Sequence, residues 1–190
     1  MNSINLSNRF KEALLYAINL HSDQVRKGTD VPYVSHLLAA SALVMEDGGD
    51  EDEVIAALLH DAPEDQGGRD TLEEIRDLFG EKVAEIVDGC TDTFQNPKPP
   101  WRHRKESYIE SLETASQEVL RVSLADKLHN SRSLIKHLRQ SGESVWQNFK
   151  GGKEGTLWYY QKLLLIFYRR INSPLVGEFA RIYCRLKMMV

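Results

Sequence analysis

One short segment of the sequence combines groups that can bind a metal with groups that can transfer a proton. Within Leu58–Asp65 an apolar helix end delivers His60 next to Asp61, and the carboxylates Glu64 and Asp65 follow within one turn. An imidazole and a carboxylate side by side suit a divalent transition metal. Each pair alone has an ordinary explanation, because His-Asp dipeptides are common and a Glu-Asp pair is usually a solvated turn. This segment therefore predicts a metal site only if further ligands exist elsewhere.

Two candidate ligands lie on distant segments. His36 begins a predicted helix, and Asp126 interrupts the apolar run Val122–Leu128. A carboxylate on an apolar helix face is unfavourable unless it is paired or bound to a metal. The alternatives are an ion pair between Asp126 and Lys127 and a helix-start role for His36. Combined with His60 and Asp61, the two residues favour a metal site.

The elements that must position these groups are helices. Apolar residues recur at helical spacing almost throughout, and no alternating strand pattern appears, so the sequence predicts an all-α fold of roughly eight to ten helices. Ser7 is expected to cap the first helix and Ser35 the second, at about 36–45. Asp50 and Glu53 form a capping-box pattern that opens the third.

Helix-breaking and capping residues divide the rest of the chain into further helices. Pro63 should break or restart the third helix, because the residue before a proline avoids helical angles. Thr71 and Glu74 predict another capping box, which opens a helix over 72–79 that stops at Gly80. The remaining predicted helices cover about 81–88, 102–112, 117–138, 154–171 and 174–188.

Two irregular segments are candidates for movable parts. Thr93–Pro100 contains three prolines and is expected to be a lid or a substrate loop. Phe149–Lys153 contains two glycines, through which backbone amides can approach phosphates. The basic run Arg102–Lys105 is electrostatically unfavourable at a helix start, and this misfit favours contact with phosphates.

Composition limits the class of protein. The 190 residues carry 24 Lys and Arg and 28 Asp and Glu, a net charge of −4, which argues against a generally basic nucleic-acid-binding surface.

The chain is expected to be a single domain over 1–190, with a motif-bearing core at about 10–140 and C-terminal helices at 150–190. Residues 1–10 lack the apolar core of a signal peptide, which favours a cytoplasmic protein without membrane contact. Cys90 and Cys184 are expected to be reduced, buried thiols.

The ordered motifs resemble a known family. His36, then His60-Asp61, then Asp126 resemble the signature of the HD superfamily of metal-dependent phosphohydrolases. Three longer segments are similar to RelA/SpoT-type alarmone hydrolases: 21–28 with Pro32-Tyr33, His60–Asp65, and Ala125–Asn130. The resemblance covers about residues 10–140. It implies a stand-alone small alarmone hydrolase with an HD-type fold.

The resemblance also implies roles for individual residues. His36, His60, Asp61 and Asp126 would bind one divalent ion, usually Mn²⁺ in this family. Glu64 and Asp65 would position or deprotonate the attacking water. The residues that would line the nucleotide pocket are Arg26, Lys27, Tyr33, Asn130 and Ser133. The implied reaction removes the 3′-diphosphate of guanosine tetra- or pentaphosphate, which gives GDP or GTP and pyrophosphate.

The motifs are also compatible with other functions. The same site could act on an adenosine alarmone or another nucleotide, since no residue named above separates guanine from adenine. A non-catalytic nucleotide sensor would keep the metal and the ligand, but the presence of Glu64 and Asp65 argues against it. The expected partner is a small-molecule nucleotide, with no nucleic acid and no membrane. Formation of a homo-oligomer is left open.

Overall fold

Nine α-helices make up most of the structure, a computed structural model that describes residues 4–189. They are α1 (Asn8–Leu20), α2 (Val34–Glu46), α3 (Glu51–Leu59), α4 (Gly68–Phe79), α5 (Glu81–Cys90), α6 (Trp101–Leu112), α7 (Gln117–Ser141), α8 (Gly152–Arg170) and α9 (Pro174–Met188). A π-helical turn covers Pro63–Gly67, and a 3₁₀ helix covers Gly142–Asn148. Over the described range the only extended pairing is an isolated bridge between Val25 and Pro32. The all-α prediction is confirmed, while the predicted domain ends, 1–3 and 190, lie outside the described residues.

Two of the predicted helix starts are confirmed by their hydrogen bonds. The Ser7 hydroxyl accepts from the backbone N–H of Arg9 at 3.1 Å. Asp50 accepts from the N–H of Glu53 at 3.1 Å, and the Glu53 carboxylate accepts from the N–H of Asp50 at 2.7 Å. Both orphan donors of the capping box are therefore satisfied.

Two other predicted caps are wrong. Ser35 lies inside the first turn of α2, because the chain already turns at Pro32, whose carbonyl accepts from the Ser35 N–H at 3.1 Å. Thr71 lies inside α4, which begins three residues earlier. The π-helical turn ends at Gly67, and Gly68 has a φ of +66°, so backbone geometry rather than a side chain starts this helix.

Three mutually packed helices form the centre of the fold. α3 is buried continuously from Glu53 to Leu59, as expected for a helix that is apolar on all sides. α2 and α7 both pack against α3 and against each other. α7 contributes Leu120, Leu124 and Leu128, which are completely buried. Any polar side chain on the facing surfaces of these helices is consequently held in a rigid, largely dry environment.

The C-terminal helices cover this centre with one face each. α9 packs on α7 through an apolar stripe that includes Val176, Phe179, Tyr183 and Leu186. Cys184 lies off that stripe and is exposed, so the prediction of two buried thiols holds only for Cys90. Within residues 4–189 no helix has the length and apolar character needed to cross a membrane.

Candidate active site

The four predicted ligands converge where α2, α3 and α7 meet. His36 comes from the first turn of α2, His60 follows the end of α3, and Asp126 lies in the middle of α7. One ligand atom from each of these three residues lies within 4.8 Å of the others. The Oδ2 atom of Asp61 lies 3.1 Å from His60 Nε2 and 3.5 Å from His36 Nε2. The structure thus brings all four side chains together, while their role as ligands stays a prediction.

The two imidazoles each have one nitrogen that the protein does not use. His60 Nδ1 donates to the carbonyl of Ala57 at 2.9 Å, and His36 Nδ1 lies 2.7 Å from His129 Nδ1. The Nε2 atoms of His36 and His60 are buried and have no hydrogen-bond partner among the described residues. Buried polar atoms without a partner are rare in folded proteins. Two free imidazole nitrogens facing carboxylate oxygens therefore fit a divalent cation.

The charges of the cluster favour a cation at its centre. Burial alone would lower the pKa of His60, but the Asp61 and Asp126 carboxylates raise it well above its usual value. Burial would raise the pKa of Asp126, yet Lys127 and both imidazoles hold it well below the usual range. The pKa of Asp61 is lowered in the same way, against burial, by His60 and His36. Both carboxylates are thus ionised and available as ligands.

A second layer of side chains orients the cluster. The Tyr33 hydroxyl donates to Asp61 Oδ2 at 2.6 Å, and Asn130 and Lys127 both donate to the Asp126 carboxylate. Such contacts fix the position of a ligating group and tune its basicity. Sequence reasoning missed His129 as the partner of His36, because nothing in the motif shows which neighbour a histidine ring faces.

The remaining predicted site residues line one cavity of about 340 Å³, together with Asp61 and Asp126. They are Glu64 and Asp65 and all five predicted substrate residues, Arg26, Lys27, Tyr33, Asn130 and Ser133. Three side chains of α8 that the motifs do not include also line it, namely Thr156, Tyr159 and Tyr160. The cavity is therefore built by both the motif-bearing segments and the C-terminal part of the chain.

Pro63 does not remove Glu64 and Asp65 from the site. The π-helical turn that it opens directs both carboxylates into the cavity. Lys98, from the proline-rich segment, contacts Glu64 Oε1 at 2.9 Å, and Gln24 donates to Asp65 Oδ2 at 2.8 Å. Burial and the neighbouring Asp61 raise the pKa of Asp65, which makes it a better proton acceptor than an exposed carboxylate.

The cationic residues of the cavity are held by polar and aromatic neighbours. Arg26 donates to the side-chain oxygen of Asn130, and its guanidinium lies 5.5 Å from the centre of the Tyr33 ring. Within the basic run, only Lys105 lines the cavity. Arg104 is buried against Asp92, and Arg102 stacks 3.3 Å from the centre of the Trp158 ring. Of this basic run, only Lys105 is therefore in a position to contact a phosphate in the cavity.

The relatives of this chain include pyrophosphohydrolases, a bifunctional (p)ppGpp synthase/hydrolase of Escherichia coli and a GTP pyrophosphokinase of Myxococcus xanthus. A probable guanosine-3′,5′-bis(diphosphate) 3′-pyrophosphohydrolase of Synechocystis is 36% identical over 125 residues, which are 64% of this chain and 16% of the relative. The pyrophosphohydrolase MESH1 of Xenopus tropicalis is 39% identical over 126 residues, 65% of this chain and 68% of the relative. The chain thus spans about a sixth of the bacterial relative and about two thirds of the frog one.

A solved structure extends the match to almost the whole chain. It is described as a metazoan ortholog of SpoT that hydrolyses ppGpp, and it superposes with a TM-score of 0.79 at 28% identity, over 98% of this chain and 99% of that one. The sequence profile of the HD domain matches residues 13–157, which include every side chain of the metal cluster. This chain belongs to the HD domain family.

Proposed function

We propose that this protein is a metal-dependent 3′-pyrophosphohydrolase of guanosine tetra- and pentaphosphate. The observation that carries the proposal is a single cavity in which Glu64 and Asp65 lie beside Asp61 and Asp126 of the buried cluster. The names of the frog and bacterial relatives supply the substrate class. A nucleotide with two diphosphates is strongly anionic, and the same cavity holds Arg26 and Lys105.

The metal in this proposal is Mn²⁺, held by His36, His60, Asp61 and Asp126. Two imidazoles and two carboxylates suit a cation of intermediate hardness, and they leave positions for water and a phosphate oxygen. A bound divalent cation would neutralise charge on the phosphoryl oxygens and acidify water. The protein contributes by keeping both Nε2 atoms free of other partners.

Glu64 and Asp65 are proposed to act on the attacking water. Asp65 accepts a proton from the water as the water oxygen bonds to the phosphorus next to the ribose 3′-oxygen. The bond between that phosphorus and the 3′-oxygen breaks, and the 3′-oxygen takes the proton from Asp65. The products are then pyrophosphate and GDP or GTP. Glu64, which Lys98 holds at 2.9 Å, would orient the same water.

The substrate-binding proposal assigns Arg26 to the base and the other residues to the sugar and phosphates. A planar guanidinium can stack on a base, and the bond to Asn130 holds it in place. Lys27 would attract phosphate, and Asn130 and Ser133 would bond the ribose or base. Because the Tyr33 hydroxyl donates to Asp61, its proton is not available to the nucleotide.

We also propose that the chain works as one domain in the cytoplasm. The support is that Tyr159 and Tyr160 of α8 complete the cavity whose other walls come from the motif-bearing segments. A truncation after α7 would then lose nucleotide binding, although all four proposed metal ligands remain in the chain.

The test is a substrate panel with the Mn²⁺-loaded protein. Guanosine and adenosine 3′-diphosphates are compared with simple nucleoside monophosphates, and released pyrophosphate is measured separately from orthophosphate. Pyrophosphate release that is fastest from guanosine tetraphosphate supports the proposal, and a preference for the adenosine compound would reassign the substrate. Glu64→Gln with Asp65→Asn should abolish turnover and keep bound metal. A wild-type protein that binds the nucleotide without turnover would instead be a sensor.

A further inference from the structure

A second concave surface lies on the other side of Arg26 from the active site. It encloses about 370 Å³ between the loop after α1 and the exposed face of α7. We call it the outer basic cleft and define it by Arg26, Thr29, His129, Arg132, Lys136 and His137. Among the residues that line it, the predicted nucleotide pocket accounts for Arg26 and Ser133, while Arg132 and Lys136 need an explanation of their own.

Two cations of the outer basic cleft lie on one helical face. Arg132 and Lys136 are four residues apart on α7, which places them side by side. Like charges at such spacing repel each other and destabilise a helix. In a chain with a net charge of −4, this concentration of positive charge is local rather than general.

Only one carboxylate among the described residues forms an ion pair with a cation of the cleft. Among the described residues that line it there is neither Asp nor Glu. Arg132 has one carboxylate partner, Glu178 of α9, which does not line the cleft. The pKa of His137 is lowered by burial and by the positive charges of Lys136 and Arg26, which is the behaviour expected in a positive potential. Hydroxyl groups of Ser35 and Ser133 add hydrogen-bond donors to the same surface.

We propose that the outer basic cleft binds a phosphate or diphosphate group other than the 3′-diphosphate that reacts. A doubly or triply charged anion would relieve the repulsion between Arg132, Lys136 and Arg26 and would accept bonds from the guanidinium groups. Arg26 lines both cavities, so an anion in the cleft also fixes the guanidinium that faces the active site. The group has two possible sources: a separate ion such as pyrophosphate, or the 5′-diphosphate of the bound nucleotide.

Calorimetric titration with inorganic pyrophosphate tests the first source. The metal-loaded protein should bind two pyrophosphate ions per chain, one in the active site and one in the cleft. The double variant Arg132→Gln and Lys136→Gln should bind one, with a thermal denaturation midpoint close to that of the wild type. Lys162→Gln is the matched control, because it removes an exposed lysine of α8 outside the cleft and should keep both sites.

Steady-state kinetics test the second source, and this part rests on the proposed function. The double variant should raise KM for guanosine tetraphosphate at least tenfold, and it should leave KM unchanged for guanosine 3′-diphosphate, which has no 5′-phosphates. The deciding quantity is the ratio of KM for guanosine tetraphosphate to KM for guanosine 3′-diphosphate. If the double variant changes this ratio and the wild type binds a single pyrophosphate ion, the cleft binds the substrate. If the ratio is unchanged and the wild type binds two pyrophosphate ions, the cleft binds a separate ion.

The proposal fails if the double variant matches the wild type in both measurements. That outcome would identify the cationic face as ordinary solvated surface. Failure of the proposed function is recognised separately, because a wild type that releases no pyrophosphate from guanosine tetraphosphate can still be titrated with inorganic pyrophosphate.

Discussion

Helix α7 carries two ionic clusters, five residues apart, and they differ in how completely their groups are paired. In the first, Arg121 contacts Asp47 at 3.1 Å and also contacts Glu53. The second oxygen of Asp47 accepts from Ser173, and the second oxygen of Glu53 accepts from the Asp50 backbone. Every carboxylate oxygen of this cluster therefore has a donor.

The second cluster, around Asp126, is incomplete in the described structure. His36 Nε2 and His60 Nε2 are buried beside carboxylate oxygens and have no hydrogen-bond partner. The cluster around Arg121 is closed: its charges hold helices together, and no group in it is left to bind a ligand. The open cluster around Asp126 keeps buried nitrogen atoms without a partner until something binds. The comparison separates a fully paired cluster from one that still has unpartnered groups on the same helix.

The largest expected effect follows from removing one charge of the open cluster. Asp126→Asn keeps the shape of the side chain and removes a proposed ligand, so pyrophosphate release should fall on the order of 10³-fold, because metal-ion catalysis supplies several kcal/mol. Bound metal per chain, measured by elemental analysis, should fall with it. The control Asp77→Asn alters an exposed carboxylate of α4 and should change neither quantity. A variant that keeps full metal content and turnover would show that the cluster is not the metal site.

The closed cluster should respond to mutation in stability and not in activity. Arg121→Met leaves Asp47 and Glu53 without their cation, and breaking a buried ion pair usually costs about 3–5 kcal/mol. Arg121 is partly exposed, so we expect about 2–3 kcal/mol less free energy of unfolding in a denaturant titration. Turnover per folded molecule and metal content should remain those of the wild type.

The matched control is Arg169→Met, which removes an exposed ion pair with Glu113 on the surface of the protein. An exposed pair contributes about 1 kcal/mol or less. If Arg121→Met lost metal while remaining folded, the two clusters would be coupled and the distinction between them would be wrong.

The sequence predicted the open cluster much better than the closed one. His60-Asp61 and the lone Asp126 are conspicuous because polar groups on apolar helices are costly, so residue type alone marks them. Arg121 shows no such feature, since its partners Asp47 and Glu53 lie far away in the chain and many surface arginines look the same. Ser35 and Thr71 failed as caps for a related reason, because preceding turns had already fixed where the helices begin.

A smaller effect is expected from the side chain that orients His36. His129→Phe keeps a ring beside His36 but removes the 2.7 Å contact between the two Nδ1 atoms. Outer-shell partners of metal ligands typically change metal affinity about 10–100-fold. A competition titration with a chelating dye should show weaker metal binding in this range, with little change in thermal stability. Restored affinity in His129→Gln, which can still hydrogen-bond, would identify the bond as the cause; equal affinity in all three proteins would contradict it.

A third cluster, of Asp92, Arg104 and Lys105, is intermediate between the closed cluster around Arg121 and the open cluster around Asp126. Arg104 and Lys105 both contact Oδ2 of the Asp92 carboxylate, so this cluster has two cations for one carboxylate. Lys105 also lines the active-site cavity. Its pKa falls to about 7, mainly through burial and also through Lys127 and Arg104. The surplus cation therefore faces the place where an anionic nucleotide would bind.

The smallest expected effect is a pH dependence caused by Lys105. Its pKa is below the usual value, so the ammonium is charged below about pH 7 and neutral above it. KM for guanosine tetraphosphate should rise several-fold between pH 6 and pH 8.5 in the wild type. Lys105→Gln should show the high KM already at pH 6, whereas Lys105→Arg should keep the low KM at pH 8.5. Dividing the KM of each variant by that of the wild type at the same pH cancels the titration of the substrate phosphates. If these KM ratios did not change with pH, the charge of Lys105 would serve only to pair with Asp92, as in the closed cluster around Arg121.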